Sequence, residues 1–120
     1  MARLLIASLV LGSLLTACGS DDSGVDGSKK LADLSAGEIG DLCDYTSDVE
    51  GGYGASKVCG DGITITVKSR EACIANLEAT IASCPATVEN AEACAEAIGD
   101  DLCKLLSEPK CAFALQCTAG

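Results

Sequence analysis

The 120-residue chain has no histidine and no tryptophan, and Tyr45, Tyr53 and Phe113 are all its aromatic residues. Without histidine, Ser–His and Cys–His nucleophile systems are excluded. Basic residues are also scarce: eight Lys and Arg against eighteen Asp and Glu give a net charge of −10. A surface of that sign repels nucleic-acid phosphates and anionic head groups, so nucleic acid is excluded as a partner. Nor is there an apolar run of membrane-spanning length. The stretch Leu4–Leu15, interrupted by Ser8, Gly12 and Ser13, reaches ~18 Å as a helix, against a hydrocarbon core of about 30 Å. The Cys-x-x-Cys spacing of thiol–disulfide enzymes and many zinc sites is absent too.

What is present begins at the N-terminus. Met1-Ala2-Arg3 is a short positive region ahead of the apolar stretch, which has the proportions of an export signal. Leu15 fits poorly before an ordinary signal-peptidase cut, which requires small residues at the third and first positions preceding it. Leu15-Thr16-Ala17-Cys18 instead resembles the lipobox of bacterial lipoproteins. That resemblance implies that residues 1–17 are a signal peptide, that the Cys18 sulfur carries a diacylglyceryl group, and that the freed amine of Cys18 is acylated. It also bears on sorting: Gly19 rather than Asp follows Cys18, which is similar to enteric lipoproteins destined for the outer membrane.

Cysteine parity points the same way. There are nine cysteines, and an odd number in an exported chain marks one special thiol. Assigning Cys18 to lipid leaves Cys43, Cys59, Cys73, Cys84, Cys94, Cys103, Cys111 and Cys117 for four disulfides. Loss of residues 1–17 removes Arg3 and no acidic residue, taking the charge from −10 to −11. Membrane attachment therefore falls to the acyl chains, at ~0.8 kcal/mol per buried methylene.

Residues 18–30 read as a lipidated terminus and flexible tether. Gly19–Lys30 holds one apolar residue among glycines and charges, too little to bury. The folded domain is expected over residues 31–120. Ser35 and Glu38 form a capping box, followed by Ile39, Leu42, Cys43, Thr46 and Val49 on one helical face, with Gly51-Gly52 as the stop. Ala55–Cys59 and the alternating, β-branched Ile63–Val67 suggest an irregular hairpin around Gly60-Asp61-Gly62. Ser69 caps a second helix that Pro85 halts, and Thr87 caps a third that ends near Gly99. Pro109 suits the start of a last short helix carrying Cys111, Leu115 and Cys117. The expected fold is mainly α: a small disulfide-stapled domain of three to four short helices with a hairpin near residues 55–67.

A domain of roughly ninety residues with so few large side chains is marginal on packing alone. Disulfides, at about 2–4 kcal/mol each, supply the remainder. Eight cysteines allow roughly a hundred pairings. Cys103 and Cys111 flank the Ser107-Glu108-Pro109 turn and are expected to pair, with Cys94–Cys117 nested outside them. Cys43, Cys59, Cys73 and Cys84 would then pair within the first half. From Leu42 onward the pattern also resembles small cysteine-rich lipoproteins of the myxobacterial type. The features that match are Gly51-Gly52-Tyr53-Gly54 before Cys59, Thr87-Val88 before Cys94, and the closing series Cys94, Cys103, Cys111 and Cys117. That family has no established activity, so the resemblance implies location and oxidation state rather than mechanism.

Acidic residues are the remaining source of chemistry. Asp41, Asp44 and Asp48 share one helical side and Glu89, Glu92 and Glu96 another; the simplest reading is solvated faces. Asp100-Asp101 and Gly60-Asp61-Gly62 lack the alternating oxygen ligands of a calcium loop. Tyr53 in its glycine-rich segment is expected to cover the core, the alternative being exposure to a partner or glycan. No catalytic residue, cofactor or metal is assigned. The reading is a non-enzymatic, lipid-anchored envelope protein with a structural or binding domain, its partner an envelope protein or glycan. The alternative is a small secreted enzyme or inhibitor using surface carboxylates.

Overall fold

The structure, a computed structural model, describes residues 22–118. The signal segment and Cys18 lie outside the described residues. Helix α1 spans Ala36–Val49, strands β1 and β2 span Ser56–Val58 and Thr64–Thr66, and helices α2, α3 and α4 span Arg70–Thr80, Val88–Ile98 and Phe113–Thr118. Single 3-10 turns at Leu31–Asp33, Ile81–Ser83, Leu102–Leu106 and Pro109–Cys111 join or extend them. The chain is thus mainly helical and disulfide-stapled, with a two-stranded antiparallel hairpin.

The helix boundaries follow from hydrogen-bond chemistry. Ser35 Oγ accepts from Glu38 N at 3.2 Å, while Glu38 Oε1 accepts from Ser35 N at 3.0 Å, closing both halves of the capping box. Thr87 and Asn90 repeat the device at α3. At the other end of α1, Gly51 and Gly52 adopt φ of 104° and 99°. Gly52 N then donates to Ser47 O at 2.7 Å and Gly51 N to Asp48 O at 3.3 Å. These two bonds satisfy carbonyls that the helix leaves open, and only glycine enters that backbone region freely.

α1 packs against both α2 and α3. One buried cluster gathers Leu31, Ile39, Leu42, Ile81 and Val88, with Phe113 against it. A second, smaller cluster gathers Val67, Ile98, Leu102 and Cys111 beneath the hairpin. The hairpin pairs Ser56 with Thr66, Lys57 with Ile65 and Val58 with Thr64, shorter than the expected runs. It buries little, and Val58 is 71% exposed. A two-stranded hairpin is marginal by itself. This one is pinned instead by the Cys59–Cys103 disulfide and by Lys57 Nζ on Asp101 Oδ1 at 2.8 Å.

Two expectations are corrected here. The eight cysteines pair as Cys43–Cys73, Cys59–Cys103, Cys84–Cys117 and Cys94–Cys111, not as Cys103–Cys111 and Cys94–Cys117, and of the four expected to pair within the first half Cys59 and Cys84 do not. After the Ser107-Glu108-Pro109 turn the chain folds back onto α3, which sets Cys111 against Cys94. Cys103, on the preceding turn, meets the hairpin instead. Proximity in sequence misled because the turn separates the two thiols rather than joining them.

The second correction concerns residues 22–30, expected as free tether. They form a strap along α3: Val25 is buried, Lys30 bridges Thr87, and Lys29 O and Gly27 O accept from Val88 N and Glu89 N, both at 2.9 Å. Those amides belong to the first turn of α3 and have no partner within the helix. Glu92 adds its carboxylate, accepting from Ser23 N at 2.9 Å and from Ser23 Oγ. A segment too polar to bury itself docks because its backbone supplies what a helix N-terminus lacks.

Two outcomes follow for measurement. Peptide mapping of unreduced protein is expected to recover the four pairs above, and a Cys103–Cys111 peptide would overturn this fold. Replacement of Glu92 by Ala should release the strap at a cost of about 1–2 kcal/mol. Hydrogen exchange of residues 23–29 should then quicken by roughly tenfold while α1 stays protected.

Candidate functional site

A groove opens where the C-terminal end of α1 meets α2, β2 and the Leu102–Leu106 turn. A cavity of ≈ 270 Å³ is lined by Thr46, Ser47, Glu50, Tyr53, Val67 and Asn76, among others. A second one of ≈ 320 Å³ continues between α1, α2, α3 and α4, past Leu77, Ile81, Ala91, Ala95 and Phe113. A recess of ≈ 70 Å³ runs beneath β2 toward Ile98. Glu50 and Leu105 line all three, so the three spaces form one groove with Glu50 at their junction.

Glu50 owes its place to the end of α1. It is the residue before Gly51-Gly52, and the reversal there brings Tyr53 and β2 over the same helix face. No hydrogen bond or ion pair reaches the Glu50 side chain among the described residues. Burial pushes its carboxyl above the ordinary value of 4.5. Its position at a helix C-terminus, the negative end of the macrodipole, works in the same direction. An acid there is the opposite of what helix chemistry favours.

The rim is differently organised. Arg70 crosses α1 at Gly40, where any Cβ would meet its guanidinium, and its Nε donates to Asp44 Oδ1 at 2.9 Å. Tyr53 Oη donates to the same oxygen at 2.6 Å. The Tyr53 bond, with help from Arg70, holds the Asp44 carboxyl below its ordinary range. Burial and the Asp44 carboxylate together raise the Tyr53 phenol. Tyr53 therefore does not cover the core as expected: 40% exposed, it stands at the groove mouth with its hydroxyl fixed.

The other acidic residues separate into used and solvated. Glu92, expected on a solvated face, is buried and holds the strap, because Ser23 supplies two donors to it. Glu96 accepts from Tyr45 Oη at 2.6 Å. Asp41, Asp48 and Glu89 are exposed, as are Asp61 and Asp100. Among the described residues no group of three or more Cys, Asp or Glu side chains is placed to hold a metal ion. Nor is any helix among them long and apolar enough to cross a membrane.

Sequence reasoning missed Glu50. The signal was nonetheless there, since Glu-Gly-Gly puts an acid in the last turn of a helix, where a base is favoured. No protein-family model matches the chain, and comparison with curated proteins and with solved structures also found no match.

The Glu50 carboxyl supplies a pH test whose sign is fixed. Because burial raises its value in the folded chain, the fold holds the proton more tightly than the unfolded chain does. Stability from the neutral form is fully present below the ordinary value of 4.5 and is lost as pH rises through the raised one. Glu50→Gln, always neutral, should raise the denaturation midpoint at pH 7 and approach wild type at pH 3. The lowered carboxyls of Asp44, Glu38, Asp26 and Asp101 destabilise both proteins alike in acid, so they cancel in the difference. Equal midpoints at pH 7 would show that the Glu50 carboxylate is solvated.

Proposed function

We propose that this chain is a lipid-anchored component of a bacterial cell envelope, held by acyl chains on Cys18, whose stapled domain serves a binding role without catalysis. The observation that carries this reading is the pairing of eight cysteines into four disulfides, which leaves Cys18 as the unmatched ninth. Bridges in such number belong to an oxidising compartment. The lipobox-like Leu15-Thr16-Ala17-Cys18 and Gly19 favour the outer membrane over the inner.

The docked strap refines the anchor. Its first tie to α3 is at Ser23, five residues after Cys18. Those five residues reach at most roughly 18 Å, so the domain sits close to the membrane surface. Acid–base hydrolysis by a carboxylate pair needs two acids facing across a substrate. The three joined cavities hold one, Glu50, which favours binding over the enzyme alternative. The partner is the acyl-bearing membrane together with an envelope molecule received by the domain.

Mass spectrometry of the N-terminal peptide is expected to find Cys18 at the mature terminus carrying diacylglycerol and an amide-linked acyl chain. Cys18→Ala, with residues 1–17 exchanged for an ordinary cleavable export signal, should move the protein from the membrane pellet to the soluble fraction by at least about tenfold, since neither acyl chains nor the apolar stretch then remain. An unmodified Cys18 in native protein would remove the anchor from this reading.

A further inference from the structure

The groove around Glu50 has a chemical bias that narrows what it receives. Glu50 is its unpaired carboxylate, Lys68 stands exposed on the outer wall, and the hydroxyls of Thr46 and Thr80 are spent as donors. Thr46 Oγ1 donates to Cys43 O at 3.3 Å, and Thr80 Oγ1 donates to Asn76 O at 2.9 Å. A hydroxyl has one hydrogen and two acceptor lone pairs. Both threonines therefore present acceptors to the space they share with Glu50. Beyond them the walls turn apolar, with Leu77, Ile81, Ala91, Ala95, Leu105 and Phe113.

We infer that the groove binds a small amphipathic amine, its ammonium on the Glu50 carboxylate and the Thr46 and Thr80 oxygens, its apolar body between α2, α3 and Phe113. An ammonium offers three donors and no acceptor, which matches the Glu50 carboxylate and the acceptor oxygens of Thr46 and Thr80. A carboxylate or phosphate meets repulsion from Glu50, and the donors open to it, the Asn76 amide and Lys68, are exposed side chains. A neutral apolar molecule fills the walls but leaves Glu50 without a counter-ion. The concavity also favours a small molecule over a flat protein surface, since ≈ 320 Å³ lies at the lower end of ligand-pocket sizes, about 300–1,000 Å³. The field of the whole chain adds to this, because a net charge of −10 draws cations toward any opening.

The cationic groups near the groove leave the site open. Arg70 is committed to Asp44 at the rim, and Lys68, which lines the outer cavity, is exposed and forms no ion pair among the described residues. This inference rests on the binding-domain half of the proposed function and is independent of the lipid anchor.

The test uses the full chain as isolated from cells, in phosphatidylcholine nanodiscs when acylated and in buffer when not, with Cys18 modification read by mass on the same sample. Three probes of one shape are titrated at pH 7 by ligand-observed NMR, with empty nanodiscs as reference. They are phenethylamine, 2-phenylethanol and 3-phenylpropionate. The expected result is saturable binding of phenethylamine, at least about tenfold weaker binding of the alcohol, and none of the carboxylate. Glu50→Gln should weaken phenethylamine by about tenfold or more while leaving the alcohol unchanged. Absence of saturable phenethylamine binding, equal binding of amine and alcohol, or an affinity insensitive to Glu50→Gln would each overturn the assignment. The comparison among probes on the wild-type chain needs no variant to fold. An unacylated Cys18 with normal amine binding would sink the anchor and leave the site standing.

Discussion

The Cys59–Cys103 bridge is the tie on which the arrangement of the others depends. Each of the other three disulfides has one cysteine inside the span from 59 to 103 and one outside it. Cys43–Cys73 joins α1 to α2, Cys84–Cys117 joins the end of α2 to α4, and Cys94–Cys111 ties α3 to the turn ahead of α4. Taken alone, the first of these staples one half of the chain and the last two staple the other. Cys59–Cys103 carries the hairpin across to the Leu102–Leu106 turn and so links the halves. Closing its 44-residue span removes about 4 kcal/mol of unfolded-state freedom on the chain-entropy view, the largest of the four.

That cross-tie explains why an exposed hairpin is ordered and why the groove has a fixed shape. Val67 follows β2 and Leu105 sits on the partner turn, and both face the space at Glu50. Were the hairpin held by its own burial alone, it would fray, since both strands are largely exposed. The disulfide places a wall where hydrophobic packing does not. Glu50 then lies between walls that do not collapse, and the cost of sheltering its charge is carried by bonds elsewhere in the chain.

Local structure was legible because local chemistry decides it. Ser35, Ser69 and Thr87 announce three helix starts, Gly51-Gly52 one stop, and the alternation over Ile63–Val67 the second strand. What eluded the sequence depends on which surfaces face one another. The disulfide partners could not be read because the reversal after Glu108 turns Cys111 toward α3 and leaves Cys103 on the hairpin side. The strap eluded composition because it docks by backbone carbonyls on the amides of Val88 and Glu89, and those carry no side-chain signature. Glu92 looked like its exposed neighbours Glu89 and Glu96 until Ser23 arrived from 69 positions away. Glu50 was legible in principle, as an acid at the wrong end of a helix, but its meaning came only with the groove.

The shortage of large side chains, first a deficit of stability, is also what makes room for a ligand. Ala91, Ala95 and Ala114 line the ≈ 320 Å³ cavity at positions where a core-driven domain places leucine or phenylalanine. Interiors built on packing close such gaps, because each void forfeits contacts on its lining. Disulfides impose no such requirement. They act largely on the unfolded chain, so the folded state can leave space between its helices without surrendering the stabilisation that holds them. A domain stapled in this way is free to keep a groove with a bare carboxylate in it, and the small residues along α3 and α4 are then the means by which the groove stays open.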